Sequence, residues 1–236
     1  YKRQVYVNTG LFTEVKSMAG VIVHLAVADA TFKELNIKNL PLYYAGNVAP
    51  DCIHSRKNYQ REMKKHTHLR DGISDWDFIL PENLKLFQQR LGKFQKEYCN
   101  KVDNQELYLG YLTHLITDEM FMRTIRLRCA EEAEKSGILQ TDKSFFGYMM
   151  REVNGADTLA AKNINFINAP VKMMKKSYGC YIRDYITANE MKDGMEWIID
   201  NFFSDKNNFE EPAFLTMEMI EDFIQIAVNE IYKRIN

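Results

Sequence analysis

The chain has 236 residues, 46% of them hydrophobic, and a formal net charge of -1. That supplies a core for one large domain, and the near-neutral balance excludes a global electrostatic pull toward nucleic acid or anionic membrane. Four cysteines (Cys52, Cys99, Cys129 and Cys180) stand far apart with no C-x-x-C pair, and read as reduced thiols, mostly core.

Residues 1–17 differ in character from the rest of the chain and read as a non-native or disordered extension, with Met18 as the natural start of a single domain, 18–236. They lack the continuous apolar run of a secretory signal. The next stretch, AGVIVHLAVADA, is short of the ~20 apolar residues a membrane span needs. A cytoplasmic protein is the expectation.

Residues 18–35 carry Val21, His24, Ala28, Phe32 and Leu35 on one helical side. Residues 40–80 read as the longest non-helical region, with two of the five prolines and three of the five histidines. Long loops inside compact domains are uncommon and often functional. Within this one, Asp51 follows Ala-Pro, His54 and Arg56 stand in HSR, and His66 and His68 stand in KKHTHLRDG. The helix-starting PEN at 81–83 introduces a stripe of Leu84, Phe87, Leu91, Phe94 and Tyr98. A helix is expected from about 104 to 135, ending near Gly137, and two more over 189–203 and 214–234. Period-two alternation is confined to residues 3–7. The fold class expected is all-α.

GYLTHLITDEMF at 110–121 places His114 and Asp118 one helical turn apart. They lie on the face that carries Tyr111, Phe121 and Ile125, with Glu106, Thr113, Thr117, Thr124 and Arg128 opposite. An unpaired carboxylate in an apolar stripe is costly. The pair is therefore either a charge-neutral helix pair or part of a metal site. His24, in its own apolar helix, is either a hydrogen-bonded core histidine or a ligand. Asp51 after proline is either a turn cap or a catalytic or metal-binding carboxylate. A divalent ion would account for the mixture of imidazole and carboxylate, because zinc accepts both.

Taken in order, VIVHLAVA, YYAGNVAPD, HTHL and YLGYLTHLITDEMF resemble the zinc-dependent phospholipase C family, within the phospholipase C/D superfamily. APDCIHSR followed by MKKHTHL is similar to its small bacterial hydrolase-type members. The resemblance implies an all-α, multi-helix fold of the phospholipase C and P1 nuclease type. It matches Asp51, His68, His114 and Asp118 to one metal site, and His24 to a neighbouring metal that Asp118 would bridge. His66 is left as a bystander. No histidine follows His114, so a third site lacks its ligands and one or two zinc ions are expected. The implied reaction is hydrolysis of a phosphoester, in a small molecule or a phospholipid headgroup, by water activated on the metal. Asp51 would orient or deprotonate that water, His54 would protonate the leaving group, and Arg56 would hold phosphate unless it simply faces solvent. The alternative is a non-catalytic metal-binding helical module, structural or ligand-sensing.

Overall fold

Asn39 accepts the amide of Leu42 and so caps a helix where the sequence suggested a loop. The computed structural model describes residues 19–99, 103–203 and 211–235. The readings of residues 1–17, including the alternation at 3–7, lie outside them. Ten α-helices are described: α1 (Val21–Thr31), α2 (Leu40–Cys52), α3 (Arg61–Thr67), α4 (Pro81–Phe94), α5 (Gln105–Arg123), α6 (Ile125–Lys135), α7 (Lys143–Asn163), α8 (Pro170–Lys175), α9 (Ala188–Phe202) and α10 (Met217–Ile235). Extended pairing among the described residues is limited to one isolated bridge, Ile182 to Ile186. The fold is all-α. None of these helices is long and apolar enough to cross a membrane.

The expectation of a non-helical 40–80 is corrected by α2, α3 and a 3₁₀ turn over Ile53–Ser55. Every residue of α2 from Tyr43 to Cys52 is buried, so no polar stripe marks the helix. Its two prolines also disguise it. Pro41 lies in the first turn, where the missing amide costs nothing, and Pro50 lies in the last.

A second correction concerns α5. Thr113 and Thr117, read as an outward face, are fully buried. Thr31, Tyr43 and Thr113 form a chain of hydroxyl contacts at 2.7 and 2.9 Å that ties α1, α2 and α5 together. The helix expected to run unbroken to 135 is interrupted at Thr124, whose backbone turns to φ -126°, ψ -78°. The Thr124 hydroxyl donates to the carbonyl of Met120, a local bond that competes with the helical ladder.

α2 and α5 cross at backbone contact. A Cβ on Gly46 would stand 1.8 Å from the Leu107 carbonyl oxygen, and one on Gly110 would stand 2.0 Å from that of Tyr43. Only glycine at both positions permits this approach, which brings the backbone of Asn47 against His114.

The acids of the second half hold the frame. Asp157 on α7 accepts the amides of Ile22 and Val23, capping α1 from outside. Glu152 accepts three amides, from Ala213, Phe214 and Leu215, ahead of α10. The four cysteines are free thiols, three of them buried.

Candidate metal centre

Each donor reaches the centre from a different piece of this frame. His24 comes from the middle of α1, Asp51 from the last turn of α2, His68 from the residue that ends α3, and His114 and Asp118 from successive turns of α5. All five are buried. The structure thus brings the five residues expected to hold metal to one place. In two overlapping triads, His24–Asp51–His114 and His68–His114–Asp118, the ligand atoms all lie within 4.8 Å of one another.

Backbone carbonyls set the histidine tautomers. His114 Nδ1 stands 2.7 Å from the Asn47 carbonyl oxygen, and His68 Nδ1 stands 2.9 Å from that of Lys64. A carbonyl can only accept, so both Nδ1 atoms carry hydrogen and both Nε2 atoms present lone pairs. Those Nε2 atoms face each other at 3.3 Å. Asp118 Oδ2 lies 3.5 Å from His114 Nε2 and 3.6 Å from His68 Nε2, and Asp51 Oδ1 lies 3.6 Å from His68 Nε2.

These spacings provide a test of fit. Ligands at ~2.1 Å from a tetrahedral zinc stand ~3.4 Å from one another. The three edges of the His68–His114–Asp118 triad, 3.3 to 3.6 Å, match that spacing, and Asp51 Oδ1 stands 3.6 Å from His68 Nε2. Asp118 Oδ2 has no hydrogen-bond donor within the protein, although it is buried. Leaving such an oxygen bare costs roughly 1–3 kcal/mol, more for a charged group. The donor set and the bare oxygen both fit a divalent cation.

His24 belongs to the first triad alone. Its Nε2 meets the other Asp118 oxygen, Oδ1, at 3.1 Å, its ring stacks on His114 with centroids 3.8 Å apart, and its Nδ1 is buried without a partner. In this arrangement it orients the Asp118 carboxylate.

Burial and neighbouring charge set the protonation states. Burial pushes His68 down to about 3, with the Lys64 charge adding to it, and burial with His114 lowers His24. Burial opposes the charge on Asp118, but His24 and His114 outweigh it and hold the carboxyl below its usual range. For Asp51, burial is likewise outweighed, first by the Lys64 ammonium and then by the adjoining His54 and His68 rings. Two carboxylates and two neutral imidazoles suit cation binding.

Lys64 was not among the sequence candidates. Its Nζ donates to Asp51 Oδ1 at 2.7 Å and lies 3.4 Å from His54 Nε2. The available signal was its place four residues before His68 on α3, which shares that helical face. His54 sits at the edge of the centre, 3.6 Å from Asp51 Oδ1, with its ring against Tyr59.

One candidate falls elsewhere, and His66, expected as a bystander, stays outside the centre. Arg56, expected to hold phosphate, instead makes a two-pronged ion pair with Glu190 and donates to the Tyr185 carbonyl. Glu190 is also the reciprocal partner in the capping box that starts α9. His66 is half-exposed and paired with Asp71. The backbone after His68 is held from two sides. Leu69 has φ +56°, uncommon for a residue with a side chain, and Arg90 donates to its carbonyl. Tyr111 donates to the carbonyl of Thr67 just before His68.

Residues 23–120 match the family model described as zinc dependent phospholipase C. That span contains all five clustered donors. No curated protein and no solved structure matches the chain. The matched span, under half of the chain, is similar to that family.

Proposed function

From the similarity of residues 23–120 to the zinc-dependent phospholipase C family, we propose that the chain is a metal-dependent hydrolase of phosphoester bonds. The observation that carries this reading is the convergence of three donor atoms, His68 Nε2, His114 Nε2 and Asp118 Oδ2, at separations of 3.3 to 3.6 Å, with Asp51 Oδ1 3.6 Å from His68 Nε2. His68, His114 and Asp118 would hold a zinc ion, with Asp51 beside His68 and His24 orienting Asp118. Zinc in such a site supplies Lewis acidity, stabilising charge on a phosphoryl oxygen and making water more acidic.

The protein's own groups do the rest. Asp51, kept ionised by Lys64, His54 and His68, is placed to orient an attacking water or accept its proton. His54 lies beside it at the partly open edge, where a leaving group would depart and need a proton. Arg56 is left out of the machinery because Glu190 occupies its guanidinium. The substrate class that suits this chemistry is a phosphoester in a small molecule or a phospholipid headgroup.

One observation favours the second reading, a non-catalytic metal module. His24, His68 and His114 are each only 1% exposed, as expected of a site closed by protein ligands. Activity separates the two. Purified protein is assayed on a phosphomonoester, a phosphodiester and phosphatidylcholine vesicles, before and after chelation and zinc repletion. Hydrolysis that disappears with the metal and returns with it supports the enzyme. Bound zinc without hydrolysis of any substrate supports the module.

A further inference from the structure

Arg126 is a cation buried without an anion. It stands in the first turn of α6, only 2% exposed, and no acid occupies that turn. Its Nε is buried with no hydrogen-bond partner among the described residues. Burial lowers its pKa from the ordinary arginine range, and no neighbouring carboxylate raises it again.

What Arg126 does touch is aromatic. Its Cζ lies 5.1 Å from the centroid of the Trp76 ring and 5.5 Å from that of Phe145. Aromatic rings attract a positive charge but accept N–H groups only weakly, so they offset part of the cost of burial and leave the donors unsatisfied. A guanidinium carries five such donors in a planar fork that matches phosphate oxygens. Phe145 is buried, whereas Trp76 is 48% exposed, so the stack opens to solvent on the tryptophan side. More positive charge stands beside it. Asp75, next to Trp76 in the chain, gives one carboxylate oxygen to Arg61 and the other to Arg70. Arg70 and Arg126 are close enough for their charges to oppose each other, and Asp118 acts on Arg70 from the metal centre. Three guanidiniums thus gather around one carboxylate, whose two oxygens are both taken.

We propose that Arg126 and Trp76 form an anion-binding site that takes a phosphate group, its oxygens received by the Arg126 guanidinium. A phosphate supplies both the charge and the acceptor oxygens that this cluster lacks. The site uses none of the metal donors and stands whether or not the metal-centre reading does.

Trp76 is its own reporter. The chain has two tryptophans, and the other, Trp197, lies beside His54, so Trp197→Phe leaves Trp76 as the sole tryptophan. In that background, emission is followed on titration with inorganic phosphate and, separately, with phenylphosphonate, against sodium chloride at matched ionic strength. A saturable change is expected. Arg126→Gln should weaken it at least about tenfold, as for a lost charge-assisted hydrogen bond. Arg126→Lys, which keeps the charge without the fork, should fall between the two. Tighter binding of phenylphosphonate supports a site for phosphate carried on an apolar group, and tighter binding of inorganic phosphate supports a site for the free ion. No saturable change with either probe overturns the proposal. So does an unchanged affinity in Arg126→Gln, which would place the anion elsewhere, at the metal centre included. Should Arg126→Gln fail to fold, crystals of the parent soaked in phosphate serve as a second arm. An anion within hydrogen-bond distance of the Arg126 guanidinium is expected, and well-ordered Arg126 and Trp76 side chains with no anion there overturn the proposal.

Discussion

His114 is tied at one ring nitrogen and presents the other to the centre, and that asymmetry is the most informative detail at the residue scale. If the residue only paired with Asp118, replacing either would cost a modest amount and zinc would affect no variant. If both hold metal, zinc at a hundredfold excess over Kd stabilises the parent by ~2.7 kcal/mol through mass action. His114→Ala and Asp118→Asn should each lose most of that increment, measured by urea denaturation with and without zinc. An unchanged zinc response in both would contradict the assignment. The same residues predict a pH dependence for the chelated protein. His24 and His68 bind protons less readily in the fold than in the unfolded chain, where imidazole titrates near ~6.5. Below that pH the unfolded chain takes up more protons, so stability falls as pH falls, continuing toward the value of about 3 to which His68 is pushed. Asp51 and Asp118, also lowered, add a further loss once pH drops below the usual carboxylate range. Denaturation midpoints that stay flat from pH 7 to pH 5 would contradict this. The five donors were legible because their residue types and order carry chemistry. Lys64 was not, because a lysine in a polar run reads as solvated. The carbonyls of Asn47 and Lys64 leave no trace in the side-chain pattern at all.

At the scale of elements, the α2–α5 crossing decides whether the donors meet. Gly46→Ala or Gly110→Ala would drive a methyl into a facing carbonyl at 1.8 or 2.0 Å. The helices must separate, at a cost of at least ~1–3 kcal/mol, and Asn47 must move away from His114. Both stability and zinc retention should fall together in these variants. A Gly110→Ala protein with parental stability would show that the crossing is looser than described. Arg56 makes a contrasting case. Its pair with Glu190 is partly exposed, with side chains 31% and 17% accessible, so Arg56→Ala should cost no more than ~1 kcal/mol. The KM for a phosphodiester should change by less than about twofold, because the guanidinium is already occupied. A large rise in KM with unchanged kcat would return phosphate binding to Arg56. The legibility of elements followed exposure. The amphipathic helices α4, α9 and α10 announced themselves through their stripes. α2, buried along most of its length and punctuated by Gly46 and Pro50, had no stripe to show. α5 was found, but its buried threonines were assigned to the surface, because hydroxyls bonding within a core look polar in sequence.

For the molecule as a whole, buried acids brace the helices that carry His24, His114 and Asp118. Glu152 and Asp157 brace the amides ahead of α10 and at the start of α1, and Glu119 joins α5 to α10 through Arg234. Asp157 is the acid closest in role to the centre, since it fixes the helix that delivers His24. Asp157→Asn should keep the fold while weakening α1, by ~1 kcal/mol or more for the loss of a charged cap. Its effect should show up as lowered stability in the absence of zinc as well as in its presence. A variant indistinguishable from the parent would show that α1 is anchored by other contacts. The central claim, that His68, His114 and Asp118 form one metal site, is tested most directly by anomalous diffraction at the zinc absorption edge from zinc-soaked crystals. A peak is predicted ~2.0–2.2 Å from His68 Nε2, His114 Nε2 and an Asp118 oxygen. Crystals that diffract well enough to show these side chains, yet carry no zinc peak among them, would contradict it.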